Sequence, residues 1–467
     1  MKRTFNVLIF LLLACAVFAQ GKAKYVFYFI GDGMGVNQVN GTEMYLAEKN
    51  GKIGAESLLF TQFPVAGVAT TFSGTNSVTD SSAAGTALST GVKTYNGAIG
   101  LDKDKKQLVT VAERAKRSGK RVGVATTVSI DHATPAAFYA HQASRKMYYE
   151  IATDLPKAGF DFYAGSGFLS PDKTYDKKEA PSIYPLFEQA GYSLVKGYDA
   201  FKAEYPRAKK LILVQKDNSI PDAVPYAIDS KQGDLTLAEI TDAAISFLTK
   251  EKSKGFFVML EGGKIDWACH NNDAATAFNE VIDFDNAIKV AYEFYKKHPK
   301  ETLIVITADH ETGGIGLGTG SMDLNLKALQ YQKISQEYLS VTINKLRKEK
   351  NHKVSWEEVK ALLADKMGLW KELPVSWEQE KKLRDEYENS FVKNVQAFEK
   401  TEYAISEPLA ARAKEVVNEI ARVAWASGNH SAGYVPVFAI GAGAELFNGK
   451  MDNIEIPKRI AKAGGYK

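Results

Sequence analysis

The feature that most constrains this chain is a set of short apolar runs, each stopping at a segment rich in acidic, histidine or hydroxyl groups. "KYVFYFI" (24–30) stops at "GDGMG", "RVGVATTV" (121–128) at "SIDHATP", "GFFVML" (255–260) at "EGGKIDWACH" and "TLIVIT" (302–307) at "ADHETGG". Runs of this length and composition read as buried strands. Periodic segments at 41–49, 107–118, 236–250 and 276–297 read as helices between them, and "VPVFAIG" (435–441) as a later strand. Strands alternating with helices predict an α/β fold, a mostly parallel central sheet with helices on both faces. Such sheets bind ligands outside the carboxyl ends of their strands. Four polar strand ends on one edge are more than capping and turns account for.

The chain has 467 residues with 24% charged and 45% hydrophobic side chains, which suits a globular protein with a large core. A net charge of only +4, without a basic block, argues against nucleic acid as the dedicated partner. Lys2 and Arg3 precede the apolar "FNVLIFLLLACAVFA", the layout of a secretory signal cleaved after Ala19. Lipidation at Cys15 is the alternative, whereas an apolar stretch of about 15 residues is short for a bilayer span. The expected location is therefore periplasmic or secreted, and Cys269 is the one cysteine left, so no internal disulfide forms. Residues 20–467 read as one catalytic domain, with 321–428 a Lys/Glu-rich helical insertion. Ser355 with Glu358 and Ser376 with Gln379 fit capping boxes there, and Ser406 precedes Pro408 at a third helix start.

Several strand ends carry metal-ligand chemistry. Asp266 and His270 are four apart, which puts them on one helix face. Asp309 and His310 are adjacent at a strand end, and Asp32 lies between two glycines. Of seven histidines, His270, His310 and His430 fall in short segments that also carry Asp or Gly. Imidazole with carboxylate suits Zn²⁺, and the oxygen donors Asp32, Thr134 and Glu261 suit Mg²⁺. Arg145 offers a planar guanidinium to an oxyanion such as phosphate. In "VTDSSAAGTALSTG" (78–91), Asp80 fits a helix N-cap, Ser81 and Ser82 a first turn, and the Ala and Gly positions a close-packed face.

Taken together, "IGDGMG", "VTDSSAAGTALSTGVKTYNGAIG", "HATPAAFYAHQASRK", "EGGKID…H", "TADHETGG" and "NHSAGYVPVFAIGAG" make the chain resemble the alkaline phosphatases. The resemblance implies a homodimeric phosphomonoesterase acting on small phosphate monoesters, with two Zn²⁺ and one Mg²⁺. It implies Ser81 as the nucleophile that carries a phosphoserine intermediate, with Ser82 the neighbour to exclude. One zinc site would use Asp32, Asp309 and His310, the second Asp266, His270 and His430, and the magnesium site Asp32, Thr134 and Glu261. Arg145 would grip the phosphate, oriented by Asp80. Two positions depart from the best-known bacterial pattern. His132 stands where that pattern has an aspartate beside magnesium, and Trp267 where it has a lysine near the phosphate. These departures leave open whether the third site takes Mg²⁺ or Zn²⁺, and how tightly phosphate is held.

Overall fold

The computed structural model describes residues 22–216, 222–251, 253–320, 322–393, 399–400 and 405–467. The expected signal segment, with Cys15 and Ala19, lies outside the described residues. The main sheet has ten strands: β1 (Tyr25–Gly31), β2 (Val65–Thr70), β3 (Arg121–Thr126), β4 (Phe162–Gly165), β5 (Tyr192–Lys196), β6 (Lys210–Val214), β7 (Phe256–Gly262), β8 (Thr302–Thr307), β9 (Val435–Gly441) and β10 (Gly449–Asp452). Their order is β10-β2-β9-β8-β1-β7-β3-β4-β6-β5. All neighbours pair in parallel except β9, which runs antiparallel to both β8 and β2.

The mostly parallel sheet is thus as expected, and β1 shows why its strands read as unbroken apolar runs. Successive side chains point to opposite faces. Phe27 and Phe29 pack on Phe294 and Phe284 of helix α4 (Ala274–Lys297). Tyr28 points the other way, against Phe138, its hydroxyl donating to Leu88 O on helix α2 (Ser81–Thr90) at 3.4 Å. Both faces are covered, so both sets must be apolar.

Register then places the chemistry. Ile30 of β1 lies beside Glu261 of β7 and Thr307 of β8, while Thr126 of β3 pairs with Glu261. The segments that follow these strands leave the sheet abreast, which brings Asp32, Glu261 and Asp309 to one edge. Gly33 permits the crowding. It adopts φ +71°, and a Cβ there would lie 2.8 Å from the Asp266 Cα and 2.9 Å from Thr312 Oγ1.

Five strands have weak sequence signals. "VAGVAT" and "GKMD" lack the β-branched and aromatic density of a core strand, and they lie together at one edge. β4, β5 and β6 are only four or five residues long. The first helix, α1 (Val36–Lys49), begins before the periodic 41–49 segment, and Gly41, a poor helix former, sits within it in close contact with Phe278.

Residues beyond the sheet build a second apolar core, with Leu339, Ile343, Leu363, Leu409 and Val416 among its members. The helices around it include Gln336–Glu349, Trp356–Met367, Trp377–Tyr387 and Pro408–Ala421. The Ser355/Glu358 and Ser376/Gln379 capping boxes both form. At the third start the cap is Glu407, whose carboxylate accepts from Ala410 N at 2.9 Å, while Ser406 instead accepts from Gln336 Nε2 at 2.7 Å. Glu407 also pairs with Arg347 at 2.6 Å, both side chains being buried. Removing one partner of such a pair strands the other charge in the core. Glu407→Ala should therefore cost about 3–5 kcal/mol, seen as a lower denaturant midpoint by circular dichroism. A midpoint equal to that of the wild type would mean the pair and cap contribute nothing.

Candidate active site

Helix α2 begins within the Thr-Asp-Ser-Ser run, at Ser81. Asp80 is its N-cap, accepting from Ala83 N at 2.9 Å, and Gly91 ends it in the left-handed region. The small residues behind Ser81 have a packing purpose. A Cβ on Gly85 would lie 3.1 Å from the Ala137 Cβ and 3.3 Å from the Thr134 Cα, so α2 rests directly on the turn that carries Thr134. The two serines diverge. Ser81 Oγ lies 3.2 Å from His310 Nε2. Ser82 Oγ donates to Asp80 Oδ2 at 2.5 Å and accepts from Gly97 N at 3.0 Å, and so belongs to the loop.

Three histidines face inward in one fixed tautomer. His270 Nδ1 is 2.7 Å from Gly428 O and His430 Nδ1 is 2.8 Å from Thr79 O; a carbonyl only accepts, so each Nδ1 carries the proton. Thr312 Oγ1 donates to Asp266 Oδ1 at 2.5 Å, which leaves its lone pair for His310 Nδ1 at 3.2 Å. All three Nε2 lone pairs therefore point at other acceptors. His270 Nε2 is 3.2 Å from both His430 Nε2 and Asp266 Oδ2, and His430 Nε2 is 3.7 Å from Asp266 Oδ1. His310 Nε2 is 3.3 Å from Asp32 Oδ1 and 3.4 Å from Asp309 Oδ2.

Acceptors facing acceptors at these distances repel unless a cation lies among them. The carboxyls register the same crowding. Burial, then Asp309, Asp266 and Glu261, push Asp32 well above the usual carboxylate range, while burial, then Asp266 and Glu261, do so for Asp309. Burial lifts Glu261 to about 7. Asp32 Oδ1 and Glu261 Oε1 accept no hydrogen bond among the described residues. Divalent metal ions fit this donor set because they favour the charged carboxylates and occupy the imidazole lone pairs.

The possible ligand groups are Asp32 with Asp309 and His310, Asp266 with His310 and His430, and Asp32 with His132 and Glu261. His270 closes on the second group through the contacts above. Thr134 Oγ1 lies 3.4 Å from Asp32 Oδ2, beside the third. Glu261 Oε2 accepts from Thr126 Oγ1. Arg145 is buried beside these groups, with Nη1 3.5 Å from Asp80 Oδ2 and Nη2 3.4 Å from His132 Nε2. Burial, then the Arg145 guanidinium, hold His132 down at about 3, so its ring is neutral. Trp267 meets His132 edge-on, with ring centroids 5.9 Å apart. The structure thus brings every candidate residue into one neighbourhood.

The alkaline phosphatase family model matches residues 23–164 and 177–466. The chain belongs to the alkaline phosphatase family. Alkaline phosphatase 3 of Bacillus subtilis is 33% identical over 461 residues, spanning 96% of this chain and 90% of that protein. The alkaline phosphatase of Escherichia coli is 32% identical over 331 residues, spanning 62% of this chain and 70% of that one. Among solved structures, the cold-active alkaline phosphatase of Shewanella sp. superposes with a TM-score of 0.77 at 28% identity, over 94% of this chain and 99% of that one. The enzyme of the Antarctic bacterium TAB5 gives 0.66 at 28% identity, over 96% and 100%. Membership makes the chain a metal-binding phosphomonoesterase, a hydrolase of phosphate monoesters.

Family reasoning left several neighbours unassigned. A cavity of about 210 Å³ opens over the site, lined by His132, Arg145, Lys146, Tyr148, Leu169, Asp222 and Trp267. Leu169 and Asp222 follow different strands, and no local pattern in the sequence links them. Thr312 was within reach of pattern reading. It stands two residues after His310, next to a strand end, where side chains return to the same side. Its hydroxyl ties Asp266 to His310 and so couples two candidate ligand groups. Thr312→Val should weaken metal binding about 10- to 100-fold, measured by competition with a chelator. Unchanged affinity would deny the hydroxyl that role.

Proposed function

We propose that this phosphomonoesterase works through a phosphoserine intermediate at Ser81, with two Zn²⁺ and one Mg²⁺. The observation that carries this reading is Ser81 Oγ at the start of α2, 3.2 Å from a histidine whose lone pair also faces Asp32 and Asp309. Asp32, Asp309 and His310 would hold one zinc, Asp266, His270 and His430 the second, and Asp32, Glu261, Thr134 and His132 the third ion. Metal ions so held supply Lewis acidity, making oxygen nucleophiles more acidic and offsetting phosphoryl charge.

The chain's own residues supply position and charge. A monoester's phosphoryl group would lie over the N-terminus of α2, where backbone N–H groups favour an anion. Arg145 would bind two of its oxygens, with Asp80 steering the guanidinium. Ser81 Oγ forms a bond to phosphorus as the ester P–O bond breaks, releasing the alcohol and leaving phosphoserine. Water then attacks phosphorus from the opposite side, the P–Oγ bond breaks, and inorganic phosphate and the serine hydroxyl are restored. Because the transferred group bonds little to the enzyme in transit, catalysis here is mainly alignment and charge neutralisation.

Two tests address this reading. Metal-stripped protein should lose hydrolysis of an aryl phosphate monoester and regain it on adding Zn²⁺ with Mg²⁺, with the monoester preferred over its diester. Ser81→Ala should lower turnover about a thousandfold or more while retaining metal. Full turnover in Ser81→Ala would remove the phosphoserine, and diester preference would contradict the monoester reading.

The third site generates a separate expectation. Two structures of the TAB5 enzyme carry Glu or Asp in place of a histidine, with magnesium bound in the M3 site. We expect His132→Asp to exchange an imidazole for an oxygen donor and to shift the third site towards Mg²⁺. Metal analysis after loading with both ions should then show more Mg²⁺ per chain than in the wild type; an unchanged ratio would remove His132 from metal selection.

Export rests on residues 1–19 alone, and an N-terminus at Gln20 in secreted material would support it. The homodimer, and 321–428 as an insertion on a single 20–467 domain, rest on the family resemblance and the second core respectively.

A further inference from the structure

Helix α3 (Lys264–His270) carries Asp266 and His270, but it begins with a residue that the mechanism does not use. Lys264 is 0% exposed, and its Nζ has no hydrogen-bond acceptor among the described residues. Lysine is almost never fully buried without a partner, because desolvating an ammonium is costly. Its position adds to the cost, since a cation at a helix N-terminus opposes the helix dipole. The groups over Lys264 are aromatic, and where burial raises the Asp229 and Glu280 carboxyls, its charge acts to lower them. Nζ lies 3.4 Å from the centroid of the buried Tyr226 ring and 4.9 Å from that of Trp267.

We propose that Lys264 is a positioning residue for the phosphate pocket, holding the Trp267 indole against His132 and Arg145 through a cation–π clamp shared with Tyr226. Lys264 and Trp267 are three apart on α3 and so share a face, while the intervening Asp266 turns to the metal ligands. From Trp267 the contacts run to His132 at 5.9 Å between centroids, then from His132 Nε2 to Arg145 Nη2 at 3.4 Å. Trp267, His132 and Arg145 all line the cavity over the site. The charge also reaches the rim of that cavity. Burial and then Glu337 raise the Asp222 carboxyl, and Lys264 acts to lower it. The cationic group that the best-known bacterial pattern places at position 267 thus has a counterpart one turn earlier, behind an indole rather than facing the ligand.

The alternative is that Lys264 merely fills the core. The two differ in outcome, because replacing a buried charge by an apolar side chain of similar shape is often neutral or stabilising. A core filler predicts that Lys264→Met is at least as stable as the wild type and binds phosphate equally well. The inference rests on the proposal that the phosphoryl group lies over the N-terminus of α2, with Arg145 on two of its oxygens.

The experiment compares the metal-loaded wild type with Lys264→Met and Lys264→Arg. Inhibition by inorganic phosphate, kcat and KM for an aryl monoester, and metal content are measured on each. Lys264→Met should raise the phosphate Ki about fivefold or more with metal content unchanged, and Lys264→Arg, which keeps a cation over the rings, should stay within about twofold. In a Trp267→Ala background, Lys264→Met should add less than about twofold, because the clamp has lost its target. Tyr226→Leu and Tyr226→Phe approach from the other ring, and only the leucine variant should raise Ki. These two also decide the matter should Lys264→Met not fold. A Ki unchanged in both Lys264→Met and Tyr226→Leu overturns the inference, as does an undiminished Lys264→Met effect in the Trp267→Ala background. A wild type that phosphate does not inhibit overturns the proposed phosphate position as well.

Discussion

Everything at this site depends on the mutual repulsion of buried acceptors. Asp32, Glu261, Asp266 and Asp309 share one pocket with three inward imidazole lone pairs. Left to relax, such groups would move apart or take up protons. The fold gives them little room to move. Their backbones follow central strands with covered faces, and their registers are fixed by pairing on both sides. A rigid frame that keeps like groups together holds binding energy for whatever cation enters, which is why metal binding and catalysis can share one set of residues.

The second layer of that frame is made of backbone and hydroxyl groups. Carbonyls of Thr79 and Gly428 set the His430 and His270 rings, and Thr312 sets the His310 ring together with the Asp266 carboxylate. Thr79 stands one residue before the α2 cap. The segment that delivers Ser81 therefore also orients a candidate ligand, so the proposed nucleophile and the candidate metal site are positioned by the same few residues. The Glu311 side chain braces the neighbouring strand pair, accepting from Gln38 Nε2 at 2.6 Å and from Ser431. Ser431 pairs with Glu311 and His430 with Thr312, so the two histidine-bearing segments are held in register.

How far this was legible in the sequence follows from the kind of signal each part leaves. Strands buried on both faces leave long apolar runs, so β1, β3, β7, β8 and β9 could be read directly. β2 and β10 leave little trace because their pairing partners, rather than their composition, make them strands. Asp32, Asp266 and His310 stand in glycine-flanked or helical spacings that suggest ligation. Arg145 and Thr134 stand in no such spacing; their side-chain chemistry made them candidates, and the resemblance to a family gave them their roles. Leu169 and Asp222 lie in no pattern at all, and Lys264, although inside "EGGKID…H", gives no sign of its contact with the distant Tyr226, since these neighbourhoods depend on where separate loops return to the sheet edge.

The two departures from the best-known bacterial pattern make physical sense as a pair. An aspartate at position 132 would add another carboxylate to a pocket already crowded with them. A neutral imidazole donates to a metal without adding charge, and burial with Arg145 keeps His132 neutral. It also packs against its neighbour in a T-shaped ring contact, which an indole can make and an aliphatic lysine cannot. With His132 in place, the ligand group around Asp32 and Glu261 becomes a mixed nitrogen and oxygen set, the kind that accommodates zinc as readily as magnesium. His132 touches a candidate ion site on one side and Arg145 on the other, so under the proposed function one ring would bear on both ion selection and phosphate binding.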